Sequence, residues 1–182
     1  MYNIRLASLI STLLMTFLNV SASVAKEIST VETNIKKQVD SVYNISKFVT
    51  WPHYVMNQNN LLFCFHDEKI NENAYQTLNG KSLHQRKIRV VHLRSLEEVE
   101  NCQLVFTRPL DEKNLKALTK VSQENAILTI SAQKDFTENG GMIYLNIKKN
   151  KMTLKINQSQ IEASDLFVRS SLLNVSHTED DE

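Results

Sequence analysis

Histidines and cysteines are the residues of this chain best suited to chemistry, and their spacing narrows what that chemistry is. His53, His66, His84, His92 and His177 form no i, i+4 pair and join no cysteine cluster, so no metal ligand set is read from them. His66-Asp67 follows the apolar run Leu61 to Phe65. The C-terminal end of such a strand is where open α/β sheets bind ligands. Together with Thr107-Arg108, it outlines a pocket for a small ligand. A solvated strand end is the simpler alternative. Ser170-Ser171 lies outside any G-x-S-x-G elbow, and no pair of carboxylates is marked for acid–base work. The first strand is followed by Phe65-His66-Asp67-Glu68-Lys69, with no glycine-rich turn for a dinucleotide. No catalytic residue, cofactor or metal is assigned, and the chain reads as a non-enzyme.

Cys64 and Cys102 each lie in or beside an apolar run. If those runs are neighbouring strands, their backbones are about 4.8 Å apart, within reach of a disulfide. The bridge would disfavour the unfolded chain by about 4 kcal/mol in the entropic model. Two reduced, buried thiols are the alternative. The first segment tips the balance toward the bridge. Arg5 is its one charged residue, Leu6 to Val20 is apolar, and Ser23-Val24-Ala25 has the small-x-small pattern of a cleaved export signal. Cleavage between Ala25 and Lys26 gives an exported product, in an oxidising space where a disulfide persists. The remainder is charge-balanced, which removes the electrostatic reason to bind nucleic acid.

Elements must position these groups. Residues 29 to 50 read as a helix with Val31, Ile35, Val39, Val42 and Val49 toward one face, ended by Trp51-Pro52. Strands are expected at 61–65, 87–93, 104–107 and 126–130, alternating with helical patterns at 70–78 and 111–123. Met142 to Ile147 and Met152 to Ile156 flank a polar turn as a hairpin, and 158–174 reads as a last helix. The pattern implies a three-layer, Rossmann-like α/β sandwich. Its sheet has about six mostly parallel strands in the order 2-1-3-4-5-6, the last antiparallel. Residues 1–25 are then a signal peptide, 26–176 one domain and 177–182 an acidic tail. Only three glycines occur, and Gly140-Gly141 directly precedes a strand. That doublet implies a backbone turn that tolerates no side chain, a structural rather than a phosphate-binding feature. The Ser170-Ser171 hydroxyls are expected to let the last helix lie close to the sheet.

One family shares this order of features. The residues are Lys47-Phe48-x-x-Trp51-Pro52, the strand with Cys64, Gly80-Lys81, the strand at Cys102, and Leu128-Thr129-Ile130-Ser131. Phe136, Gly140-Gly141-Met142-Ile143, Ile156-Asn157 and Ser170-Ser171-Leu172-Leu173 follow. In that order and spacing the chain resembles the YfiR family of periplasmic regulators. It departs from the family at Asn174-Val175-Ser176, where a more apolar ending is usual, and it lacks a second cysteine pair. The resemblance implies a protein that binds and represses the periplasmic sensor region of a membrane-bound diguanylate cyclase, lowering cyclic-di-GMP and biofilm output. It also implies release by an OmpA-like outer-membrane lipoprotein, and dimerisation. A periplasmic small-ligand sensor is the alternative function.

Overall fold

The computed structural model describes residues 27–148 and 151–174. The expected signal peptide with its Ala25/Lys26 junction, the hairpin tip at 149–150 and the acidic tail 177–182 lie outside the described residues. The chain divides into two units, residues 1–34 and 35–182. In the first, residues 27–34 are helical, with Ile28 and Val31 exposed. The second holds the α/β fold.

Its centre is a parallel sheet of β2 (Asn60–Phe65), β4 (Arg86–His92), β5 (Leu104–Thr107), β6 (Leu128–Ser131) and β7 (Ile143–Lys148). The strands stand in the order β4-β2-β5-β6-β7. At one edge β8 (Lys151–Ile156) returns antiparallel to β7, with Ile143 opposite Ile156. At the other, β3 (Ser82–Leu83) pairs antiparallel with β4. The order expected from sequence is therefore present, with β3 as an added edge strand. A second, two-stranded sheet joins β1 (Val49–Thr50) to β9 (Phe167–Val168).

Strand alternation builds two cores. On β2, Leu61, Phe63 and Phe65 enter the larger core with Val39, Val42 and Ile45 of α1 (35–46) and with Ala74 and Leu78 of α3 (Glu68–Leu78). Cys64 points the other way. It joins Val99 of the 3-10 turn Leu96–Asn101 and Leu115 and Leu118 of α4 (Glu112–Asn125). Ile88 and Val90 on β4, and Leu104 and Phe106 on β5, follow the same two-residue period, with Val91 and Val105 on the α4 side. Each fully buried side chain of this size contributes about 1.5–3 kcal/mol, so the sheet is held from both faces. Carboxylates at the helix starts direct the chain. Asp67 accepts from Ile70 N at 3.0 Å, and Asp111 accepts from Asn114 N at 2.8 Å.

Two helical expectations give way to strand pairing. The first helix ends at residue 46, not 50. Val49 is fully buried, but through pairing with Val168, and Arg169 N donates to Phe48 O at 3.0 Å. Apolar spacing alone does not separate that strand from one more helical turn. The expected helix at 158–174 breaks into α5 (Gln158–Glu162), β9 and α6 (Ser170–Leu173). Asp165 adopts a left-handed φ of 54° there, and Leu166 N turns back to Ile161 O at 3.2 Å. Ser170 and Ser171 are exposed at the start of α6 and do not pack against the sheet. Ser164 is the buried hydroxyl, bonded to Gln160 O at 2.9 Å. At the other end of the fold, Ala126 takes a left-handed φ of 51° and closes α4, which delays β6 to Leu128.

The glycine doublet sets a loop against α4. Gly140 has φ +96°, and a Cβ there would lie 3.1 Å from Thr119 Oγ1. A Cβ on Gly141 would overlap the Phe136 ring, which is fully buried in the α4-side core. Asn157 anchors the same loop from the hairpin. Its Nδ2 donates to Thr137 O at 2.8 Å, its backbone N to Met142 O at 2.8 Å, and its Oδ1 caps α5. Trp51 performs a similar service, its indole N–H donating to Gln103 O at 3.0 Å from the residue between β1 and Pro52. α2 (His53–Met56) begins directly after that proline.

Candidate functional site

Three parallel strands end together, and their register decides what meets. Phe65 on β2 stands opposite His92 of β4 and Phe106 of β5. One residue further on, His66 N donates to Phe106 O at 2.9 Å, and Leu93 N donates to Phe65 O at 3.0 Å. These bonds hold the residues that follow β2, β4 and β5 around one opening. The result is a cleft of about 570 Å³ lined by His66, Asp67, Glu68, Lys69, His92, Leu93, Arg94 and Arg108.

His66 is the half-buried centre of this wall. Its Nδ1 lies 3.2 Å from Thr107 Oγ1. Thr107 in turn donates its hydroxyl proton to Arg108 O at 2.8 Å. A hydroxyl that donates to Arg108 O can accept from His66 Nδ1–H, the tautomer in which Nε2 of the neutral ring carries no proton. Thr107 O also receives Ser131 Oγ at 3.0 Å, so the buried end of the network rests on β6. Burial lowers the His66 pKa from its ordinary 6.5, and the charges of Arg108 and His92 lower it further, against the opposing pull of Asp67.

Charge around the opening is uneven. Lys69, Arg94 and Arg108 are exposed. Among the described residues the ion pairs are Lys116–Glu112, Lys120–Glu124 and Lys155–Glu138, so none of the three cations is held in an ion pair, although Asp67 and Glu68 line the same cleft. Asp67 is committed to the start of α3 through Ile70 N. Glu68 is exposed beside it. The arrangement holds no nucleophile oriented by a base. Among the described residues, no three His, Cys, Asp or Glu side chains converge to hold a metal ion.

His66, Asp67 and Arg108 thus meet at the place expected from sequence. His92 and Arg94 were not anticipated there. The signal that finds them is the parallel pairing of β4 with β2, which carries the residues after Val91 to the same edge.

Cys64 and Cys102 are bonded, with Cα atoms 6.0 Å apart. Cys64 is on β2, while Cys102 closes the 3-10 turn just before β5. Both are buried against Leu115 and Leu118. Tyr54, Tyr75 and Phe167 are large aromatic side chains that stay exposed, Phe167 to 62%. No helix among the described residues is long and apolar enough to cross a membrane.

A family model described as YfiR/HmsC-like matches residues 36–177, which includes all of the α/β sheet and the cleft. No curated protein matches the chain.

Proposed function

This chain belongs to the YfiR/HmsC-like family of periplasmic regulators of cyclic-di-GMP signalling, and from that membership we propose that it represses a membrane-bound diguanylate cyclase. In this reading it binds the cyclase's periplasmic sensor region and favours the inactive state. An OmpA-like outer-membrane lipoprotein releases it by competing for the same protein. A homodimer is the form that presents two such surfaces. The observation that carries the reading is the family match, which runs along the whole α/β fold rather than one motif.

Physical features of the chain support it. Repression requires only that the inhibitor bind one state of the cyclase more tightly than the other. A tenfold preference corresponds to about 1.4 kcal/mol, a small demand on an interface. Exposed Tyr54, Tyr75 and Phe167 are residue types that anchor protein contacts. A buried Cys64–Cys102 bond suits an oxidising compartment.

The test is capture of a purified periplasmic sensor region of a diguanylate cyclase from the same cell by the immobilised protein. Saturable capture, released by the OmpA-like lipoprotein, is expected. Absence of capture at micromolar concentrations contradicts the proposal.

A second reading, a periplasmic small-ligand sensor, draws on the cleft at His66, Asp67 and Arg108. It is compatible with the first, since a ligand that favours one state of the inhibitor changes its affinity for a partner.

A further inference from the structure

We propose that the cleft between the ends of β2, β4 and β5 binds a small organic anion through Arg94, Arg108 and Lys69, with His66 and His92 as additional donors. The ligand class is a molecule carrying carboxylate or phosphate oxygens. This goes beyond the partner-binding role, which needs no small molecule.

The argument starts from volume. About 570 Å³ falls within the range of ligand pockets and exceeds what one inorganic ion fills. The lining then selects the chemistry. Two guanidinium groups and one ammonium border the opening, and none is paired with a carboxylate. Guanidinium groups match carboxylate and phosphate oxygens with two parallel hydrogen bonds. Asp67 is the acidic group closest to His66 in sequence, and its side chain is already accepting from Ile70 N. Glu68 is exposed at the rim and free to turn toward water. Leu93 is buried and supplies an apolar floor for the carbon part of a ligand.

His66 gives the site a signature beyond charge. The groups facing it are Thr107 and Arg108 from the end of β5, His92 and Arg94 from the end of β4, and Asp67, Glu68 and Lys69 from its own strand end. Without an anion, burial and the positive groups disfavour its protonation. An anion among them reverses the sign of the local field and favours the imidazolium. Binding therefore takes up a proton, and the contribution of His66 to affinity grows as pH falls.

The experiment titrates the purified protein, without any partner, with citrate and with inorganic phosphate at constant ionic strength, choline chloride serving as the control. Calorimetry reads affinity near pH 7.5 and near pH 5.5. Saturable binding of either anion is expected; because both anions also gain protons between these pH values, the part due to His66 is read as the difference between the unaltered protein and His66→Gln at each pH. Arg94→Gln and Arg108→Gln should each weaken it about tenfold, the size of one charge-assisted contact. Lys120→Gln, on α4 away from the cleft, should leave it unchanged, and His66→Gln should flatten the pH dependence. These side chains are exposed or half-buried, so the variants are expected to fold, and circular dichroism checks that they do. Binding of citrate alone, or phosphate alone, supports the site and tells which oxyanion it prefers. Absence of saturation by both anions, or equal affinity in an Arg94→Gln/Arg108→Gln double variant, overturns it. Because no partner is present, that failure is distinct from failure of the repressor reading.

Discussion

Gly141 stands against the ring of Phe136 so closely that a Cβ at 141 would occupy the same space as the ring. Phe136 is itself fully buried with Leu115, Leu118 and Ile127, so it has nowhere to retreat. Gly141→Ala should therefore lower stability by about 1–3 kcal/mol, the usual cost of overpacking. Urea denaturation checks this. Gly80→Ala is the contrast. Nothing lies within 4 Å of a Cβ at that position, and only its φ of +83° resists the change. It should cost about 1 kcal/mol, without disturbing the core.

Reducing Cys64–Cys102 should destabilise the protein by about 4 kcal/mol, because the bridge closes a loop across a sequence separation of 38. Both sulfurs are buried, so reduction should require partial unfolding and proceed slowly in the native state. Urea curves with and without dithiothreitol measure the first effect. Thiol labelling over time measures the second. Rapid reduction under native conditions would contradict the burial.

His66 makes stability depend on pH. Its folded pKa lies below its unfolded value of about 6.5, because burial and Arg108 disfavour the charged ring. The unfolded chain then binds more protons in that window, so the contribution is present above about pH 6.5 and is lost as pH falls below it. Thermal melts across this range should show a declining midpoint. His66→Gln should remove part of the decline. An unchanged slope in the variant would place the effect elsewhere.

Trp51→Phe keeps the ring buried but removes the indole donor from Gln103 O. The loss should be about 0.5–1.5 kcal/mol, the net worth of one hydrogen bond, since Gln103 O still accepts from Leu128 N at 3.0 Å. The Trp51 ring also meets His84 edge-on at 6.3 Å, and His84 Nε2 lies 3.0 Å from Val49 O. Trp51 thus ties β1 to both the β3–β4 turn and the start of β5. Fluorescence-detected denaturation is unsuitable once Trp51, the one tryptophan, is removed. Circular dichroism reads the change instead.

The sheet was legible because its signals are local. Leu61 to Phe65 and Leu104 to Phe106 are short apolar runs, and α3 and α4, which follow them, carry plain helical spacing, so parallel order follows from crossover rules. His66 and Arg108 were legible for the same reason, as residues placed at strand ends. The β1–β9 pair was not. Val49 and Val168 meet across more than a hundred residues, and nothing near either one announces the partner. Periodicity continued helices through both places, and the pairing overrode it. Arg94 was hidden too, because membership of the cleft depends on which strand β4 joins. Ser170-Ser171 misled in the opposite sense. Small hydroxyl residues suggest close packing, yet these face water while Ser164 is buried.

The most direct test of the repressor role is cellular cyclic-di-GMP after deletion of the gene for this protein. A rise in the nucleotide, returned to its starting level by restoring the protein to the periplasm, is the predicted result. An unchanged level in the deleted strain, with the cyclase present and active, would contradict it.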